Sequence, residues 1–254
     1  MMRIRTKKKF GQHFLNNETI LKKINLFHLD RKNVLEIGPG MGALTKFLVH
    51  DIKNLVLVEV DSDCVDFLKK NFKNFKIIND DILKIDFENI FKNKFSVISN
   101  LPYNISSQVL FKILENKEKV TQFTILVQKE VAKRICSNNG NKTYGILSVL
   151  IQTYYNIEYL LEIDPKEFDP APKVDSALIR GTRNSTENIG VPFNFFKKIV
   201  KQSFQNRRKT LRNSLKHLNL PISIKSHEIF SKRAEQLDIN DFIWLVNEIK
   251  GNKL

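Results

Sequence analysis

Carboxylates, cysteines and unbroken apolar stretches are all scarce in this chain, and each shortage removes a class of protein. Only two cysteines occur in 254 residues. Cys64 and Cys136 lie far apart, without Cys-x-x-Cys spacing or a matching histidine pair, so neither a zinc site nor a disulfide framework is indicated and no metal is expected. Reduced thiols in the cytoplasm are the expectation. No apolar run approaches the roughly 18 residues of a membrane span, so no membrane partner is expected. The basic stretch 1–9 lacks the apolar core of a secretory signal. Acidic residues number 27 against 42 Lys and Arg, a formal net charge of +15. Such an excess favours a polyanionic partner, because phosphates neutralised by cationic side chains release counterions and give affinity without sequence reading. A merely solvated basic surface is the alternative. With 42% hydrophobic residues the chain can build one sizeable core plus a small appendage. The Asn and Lys enrichment is diffuse, and no internal repeat stands out.

What is present is concentrated at the ends of short apolar runs. Phe95-Ser96-Val97-Ile98-Ser99 reads as a buried strand closed by a turn signal. It delivers Asn100-Leu101-Pro102-Tyr103 to a strand end, where ligands of open α/β sheets bind. An exocyclic amine on a flat base is a poor nucleophile because its lone pair is delocalised into the ring. Acceptors bonded to its two N–H groups localise that pair. Asn100 can offer a side-chain oxygen. Pro102 biases Leu101 toward an extended conformation that aims its carbonyl as a second acceptor, and Tyr103 offers a ring for stacking. Taken alone, the tetrapeptide is equally a strand, a proline turn and a buried tyrosine.

Three earlier strand ends add to it. Val34-Leu35-Glu36-Ile37 leads into Gly38-Pro39-Gly40-Met41-Gly42 and then a helical pattern. Glycines there let the backbone approach a ligand closely, while Pro39 and the lack of a following Gly-Lys-Ser/Thr argue against a P-loop. Leu55-Val56-Leu57-Val58 ends in Glu59, with Asp61 beyond, an acid placed for ribose hydroxyls. Lys76-Ile77-Ile78 ends in Asn79-Asp80-Asp81, where a carboxylate or neighbouring amide can read an adenine's amino edge. Glycine, acid, acid and Asn-Leu-Pro-Tyr in this order resemble an S-adenosylmethionine-dependent methyltransferase acting on an amine.

The resemblance extends over nearly the whole chain. Lys9-Phe10-Gly11-Gln12-His13-Phe14-Leu15, Asn104-Ile105-Ser106, Gln128-Lys129-Glu130-Val131, Phe168-Asp169-Pro170-Ala171-Pro172-Lys173-Val174-Asp175-Ser176 and Arg207-Arg208-Lys209-Thr210-Leu211-Arg212 all look like motifs of the ribosomal RNA adenine dimethyltransferases, most like the bacterial 16S branch. That resemblance implies a Rossmann-like class I S-adenosyl-L-methionine-dependent methyltransferase domain followed by a small all-helical C-terminal domain. It implies that His13, Leu15, Gly38, Glu59, Asp81 and Asn100 line the methyl-donor site, and that Tyr103 and Phe168 sandwich the target adenine. His13 stands where the family often has Asn, and a histidine there gives donor binding a route to pH dependence. The substrate implied is 16S rRNA in an immature small ribosomal subunit, dimethylated on N6 of two adjacent adenines in a hairpin near its 3′ end; a monomer is the simpler expectation. Alternatives are the 23S rRNA resistance-type branch, a DNA adenine methyltransferase, and a non-catalytic RNA-binding assembly factor on the same scaffold.

Strand and helix patterns alternate to about residue 180, and the polar stretch 181–190 carries glycine at both ends. Beyond it Phe195, Phe196, Ile199 and Val200 share a helical face. The expected domains are therefore 1–185 and 186–254, the second a helical RNA-binding unit. Within it Arg208, Arg212 and Lys216 repeat every four residues opposite an apolar stripe, with Arg207 and Lys209 alongside. Such a face is ordinarily just solvated, but arginine's planar fork suits phosphate oxygens.

Overall fold

The structure is a computed structural model that describes Lys7 and residues 11–251. Its centre is a seven-stranded sheet of order β4-β3-β2-β5-β6-β9-β7. The strands are β2 (Val34–Ile37), β3 (Leu55–Glu59), β4 (Lys76–Asn79), β5 (Phe95–Asn100), β6 (Val120–Gln128), β7 (Tyr155–Ile163) and β9 (Ser176–Arg183). β2 to β6 pair in parallel and β9 joins antiparallel to β6. Strands 2, 3 and most of 5 are buried on both faces, as near-continuous Val, Leu and Ile runs require when helices cover both sides. The crossovers are α2 (Thr45–Asp51), α3 (Ser62–Asn71) and α4 (Ser106–Glu115). Asp61 caps α3 by accepting the Asp63 N–H, and Asn17 caps α1 (Glu18–Phe27) by accepting from Thr19 and Ile20.

The chain runs outward from β2 through β3 to β4, then returns to place β5 on the other flank of β2. Connections therefore leave β2 and β5 in opposite directions, and a crevice opens between their carboxyl ends. Ile37 pairs with Ser99 in that register, so Gly38 and Asn100 emerge side by side. A second, two-stranded sheet of β1 (Phe14–Leu15) and β8 (Phe168–Asp169) sets Leu15 opposite Phe168. Two-residue strands carry no periodicity, and the sequence shows neither.

The chain forms two compact units. One holds the residues up to Ala132 with Ile157–Arg183; the other holds Lys133–Asn156 with Asn184 onward. The linear boundary at residue 185 is thus corrected, since the second unit also takes α6 (Ile146–Gln152). Leu147, Val149, Leu150 and Ile151 of α6 are all buried, and a helix apolar all round needs cover on every side. It packs on α7 (Phe193–Gln205) and α10 (Ile239–Gly251) within that unit. Gly181, expected in a linker, lies inside β9 opposite Phe123, whose ring fills the space a side chain would need. Among the described residues no helix is long and apolar enough to cross a membrane.

Candidate active site

Asn100 ends β5 with its amide held in one orientation. Nδ2 donates to the backbone carbonyl of His13 at 3.2 Å, and because a carbonyl only accepts, Oδ1 must face away. Oδ1 and the Leu101 carbonyl have no partner among the described residues, whereas the Leu101 N–H donates to the Leu126 carbonyl at 3.3 Å. Two acceptors are thereby left at one strand end. The Tyr103 hydroxyl lies 2.5 Å from Ser176 Oγ, and burial raises the phenol's pKa against the opposing effect of that contact. The Tyr103 ring stacks on His13 at 5.7 Å between centroids and 24° between planes. His13 Nδ1 sits 2.6 Å from the Pro170 carbonyl, so that nitrogen carries a proton. Of the segment 9–15, Lys9 and Phe10 lie outside the described residues.

These groups line a cleft of about 560 Å³, mouth included, with Leu15, Glu36 and Gly38 on its walls. A second recess of about 820 Å³ adjoins it through Gly38 and Pro102 and is lined by Glu59, Val60, Asp81 and Ile82. Gly38 and Gly40 take φ +64 and +57, the left-handed region that glycine adopts without strain. The Gly40 N–H donates to Glu59 Oε2 at 2.9 Å, and the Asp61 N–H donates to Oε1 at 2.9 Å. Burial raises the Glu59 pKa while these backbone donors oppose it. Each carboxylate oxygen keeps a lone pair for a further donor. Asp81 accepts the Leu83 N–H through Oδ1 at 2.9 Å and gives its own N–H to Asp80 at 2.7 Å. Asp81 Oδ2 and the Ile82 N–H have no partner among the described residues, and both residues line the recess.

The N-terminal segment is anchored at the same place. Lys7 Nζ reaches Asp61 at 2.5 Å and Asp63 at 2.7 Å, and Gln12 Nε2 donates to Asp61 at 3.0 Å. Burial works against an ionised Asp61, but Lys7 and Gln12 hold it below its usual value.

Glu36 was passed over in the sequence as part of an apolar strand. It lines the cleft, is buried, and accepts from Thr45 Oγ1 at 2.7 Å. Burial pushes its pKa up to about 8, the Thr45 hydrogen bond opposes this and the Glu59 charge adds to it. The available signal was a lone acid inside a Val-Leu-x-Ile run, which burial makes costly without a task.

Such a glycine loop and two strand-end acids also occur in other nucleotide-binding folds, and comparison with known proteins decides the family. The family model described as ribosomal RNA adenine dimethylase matches residues 3–250. The chain belongs to the ribosomal RNA adenine dimethylase family. The ribosomal RNA small subunit methyltransferase A of Flavobacterium johnsoniae is 44% identical over 99% of this chain and 98% of its own length. That of Parabacteroides distasonis is 46% identical over 96% and 94%. A dimethyladenosine transferase from Plasmodium falciparum has TM-score 0.84 at 25% identity, covering 95% of this chain and 99% of that one. A 23S rRNA methyltransferase, ErmE, shares the fold at TM-score 0.64 and 22% identity.

In this member of the dimethylase family Phe168 stands apart from the other expected site residues. It is 5% exposed, belongs to the core cluster with Leu15, Leu21 and Ile163, and lines neither recess. Pairing of β8 with β1 sets Phe168 opposite Leu15 and places it in that core rather than on the cleft wall with Tyr103.

The basic segment also differs from its helical reading. α7 stops at Gln205, Thr210 bridges to Arg233, and α8 spans only Leu211–Ser214. The Leu211 N–H donates to the Lys232 carbonyl at 2.9 Å, which pulls the backbone out of a continuous helix. Arg208, Arg212 and Lys216 therefore share no single helix face, although all three and Lys209 are exposed. Arg207 is committed elsewhere, donating to the carbonyls of Lys142 at 2.7 Å and Tyr144 at 2.8 Å and lying 3.4 Å from Glu235. It braces the 142–144 loop.

Proposed function

We propose that the protein dimethylates N6 of two adjacent adenines in a hairpin near the 3′ end of 16S rRNA, in an immature small ribosomal subunit, acting as a cytoplasmic monomer. The observation that carries this reading is the fixed Asn100 amide, which leaves Oδ1 and the Leu101 carbonyl as paired acceptors beside the glycine loop.

The residues present fit S-adenosylmethionine. Gly38 and Gly40 let backbone approach a ligand, the buried Glu59 carboxylate has capacity for ribose hydroxyls, and Asp81 Oδ2 with the Ile82 N–H matches the amino edge and adjacent ring nitrogen of an adenine. The buried Glu36 carboxyl on the cleft wall adds an oxygen acceptor for the cofactor's ammonium end. When bound, the cofactor supplies an electrophilic methyl on a sulfonium centre. The protein's part is to accept both N–H groups of the target amine, through Asn100 Oδ1 and the Leu101 carbonyl, which localises the nitrogen lone pair. Positioning the amine supplies most of the acceleration. No base need act first, because the alkylated nitrogen is strongly acidic and its proton leaves to water or along the same acceptors. The base must leave its stack to reach the cleft, and Tyr103 offers a ring there.

The test is transfer of labelled methyl from S-adenosylmethionine to unmethylated small subunits, with large subunits and DNA alongside, followed by nucleoside analysis. The expected product is N6,N6-dimethyladenosine in small-subunit RNA alone. Label in the large subunit, or none despite cofactor binding, overturns the reading.

A further inference from the structure

The opposite end of the sheet carries a pattern that the linear sequence hides. A Lys-Asn step precedes each of four strands: Lys32-Asn33 before β2, Lys53-Asn54 before β3, Lys73-Asn74 before β4 and Lys92-Asn93 before β5. Spaced along the chain these steps look like diffuse enrichment. The strand order β4-β3-β2-β5 sets them in a row along one edge.

A recess of about 800 Å³, mouth included, opens at this edge, lined by Asn33, Lys53, Asn54, Asn74, Lys76 and Lys92 among others. Its floor is built. Asn33, 8% exposed, donates through Nδ2 to the Lys94 carbonyl at 2.8 Å, and Asn54 Nδ2 donates to Asn33 Oδ1 at 2.5 Å. No carboxylate lines the recess. Of the acids near these steps in sequence, Asp51 is engaged by Arg31, Glu88 by Lys119 and Asp30 by the Thr121 hydroxyl. Among the described residues Lys53, Lys76 and Lys92 have no acidic partner. Several lysines lining one recess without a carboxylate among its walls suit an anion with several oxygens. Four adjacent strands span about 14 Å, too wide for one phosphate and suited to consecutive phosphates of a polynucleotide.

We infer that this edge is a second RNA contact, where Lys53 and Lys92 of the Lys-Asn row, with Lys76 beside them, grip the phosphodiester backbone of the same rRNA at a point remote from the methylated base. The inference rests on the proposed RNA substrate. Strand β5 separates the row from Asn100 by about 20 Å, so a short hairpin seated in the cleft does not reach it while a large folded RNA does. The row would then favour the subunit-sized substrate over its isolated fragment.

The experiment compares the parent with the triple variant Lys53→Gln, Lys76→Gln, Lys92→Gln, all exposed positions. Binding to unmethylated 16S rRNA is measured across a salt series, and methyl transfer to the subunit and to a hairpin fragment is followed in parallel. The expected result on whole rRNA is a roughly tenfold weaker dissociation constant and a salt slope smaller by about two, with KM on the hairpin and kcat on both substrates unchanged. An unchanged slope overturns the contact. Equal weakening on the hairpin overturns it too, since that is long-range charge attraction. Titration with inorganic phosphate is the third arm: saturable binding lost in the variant while rRNA binding is unaffected would make this a free-anion site. If the parent methylates nothing, the proposed reaction falls while the salt slopes still decide the contact.

Discussion

The His13 backbone carbonyl accepts from Asn100 Nδ2 at 3.2 Å, and the His13 ring stacks on Tyr103. One residue of the N-terminal segment thus orients the proposed catalytic amide and buttresses the aromatic two steps beyond the Leu101 carbonyl. Asn100→Ala is expected to lower kcat by on the order of a hundredfold, as loss of a preorganised polar contact to the reacting group does, with rRNA affinity nearly intact. Single-turnover kinetics with filter binding measures both, and normal turnover removes Asn100 from the chemistry.

Phe168 separates two roles by size. As a core ring under Leu15 it should cost about 3 kcal/mol when cut to Ala, with much of that recovered by Phe168→Leu. Phe168→Leu should also keep turnover, because Leu fills the core although it stacks poorly on a base. A Leu variant of parental stability but with turnover reduced more than tenfold would restore the sandwich expected from sequence.

Arg207 and its neighbours should part company in the same way. Arg207→Ala removes donors to the Lys142 and Tyr144 carbonyls and is expected to lower the melting temperature. Charge reversal at the exposed Arg208 and Arg212 should lower melting less than Arg207→Ala, since only Arg212 of the two donates to a carbonyl, that of Lys225 at 3.1 Å, while it weakens rRNA binding and reduces its salt slope by two or more, with cofactor affinity as in the parent. Equal salt slopes in that double variant would remove the phosphate-contact role.

The strands and their chemistry were legible because each is a short apolar run closed by glycine, acid or Asn-Leu-Pro-Tyr, and period and punctuation agree. What escaped depended on partners distant in sequence. Phe168 is indistinguishable from a loop aromatic until Leu15 pairs with it. The four-residue spacing of Arg208, Arg212 and Lys216 suggested a face that the Thr210–Arg233 bridge breaks. Helix α6 looked like one more element of the first domain because nothing local records that α7 and α10 cover it. Glu36 was hidden by its apolar neighbours, and the Lys-Asn row by the twenty or so residues between its members.

Glu36 gives a pH dependence of definite sign. Its folded pKa of about 8 lies above that of an unfolded glutamate, so the unfolded chain ionises first. The contribution is fully present below about pH 4.5 and declines as pH rises to about 8. Glu36→Gln lacks the titration, so the variant should gain on the parent across that window by a few kcal/mol in urea unfolding. A constant difference between the two would mean that Glu36 ionises in the fold at its ordinary pKa.

His28 sets the acid limit by the reverse linkage. It is fully buried, with Nδ1 3.0 Å from Thr124 Oγ1 and Nε2 2.9 Å from Ser96 Oγ. Ser96 donates its single proton to the Asp30 carbonyl at 2.7 Å, so Nε2 must donate to Ser96 and Nδ1 accept from Thr124. In the neutral ring both nitrogens are satisfied. Burial accordingly lowers its pKa to about 4, with the Arg31 charge adding to the effect. The unfolded histidine takes up its proton first as pH falls, so stability is present above about 6.5 and is lost toward 4, by about 3 kcal/mol. His28→Gln should be less stable than the parent at pH 7, through the broken hydrogen bonds, with the gap narrowing steadily by pH 4. A gap that stays constant across that range would show that His28 keeps an ordinary pKa in the fold.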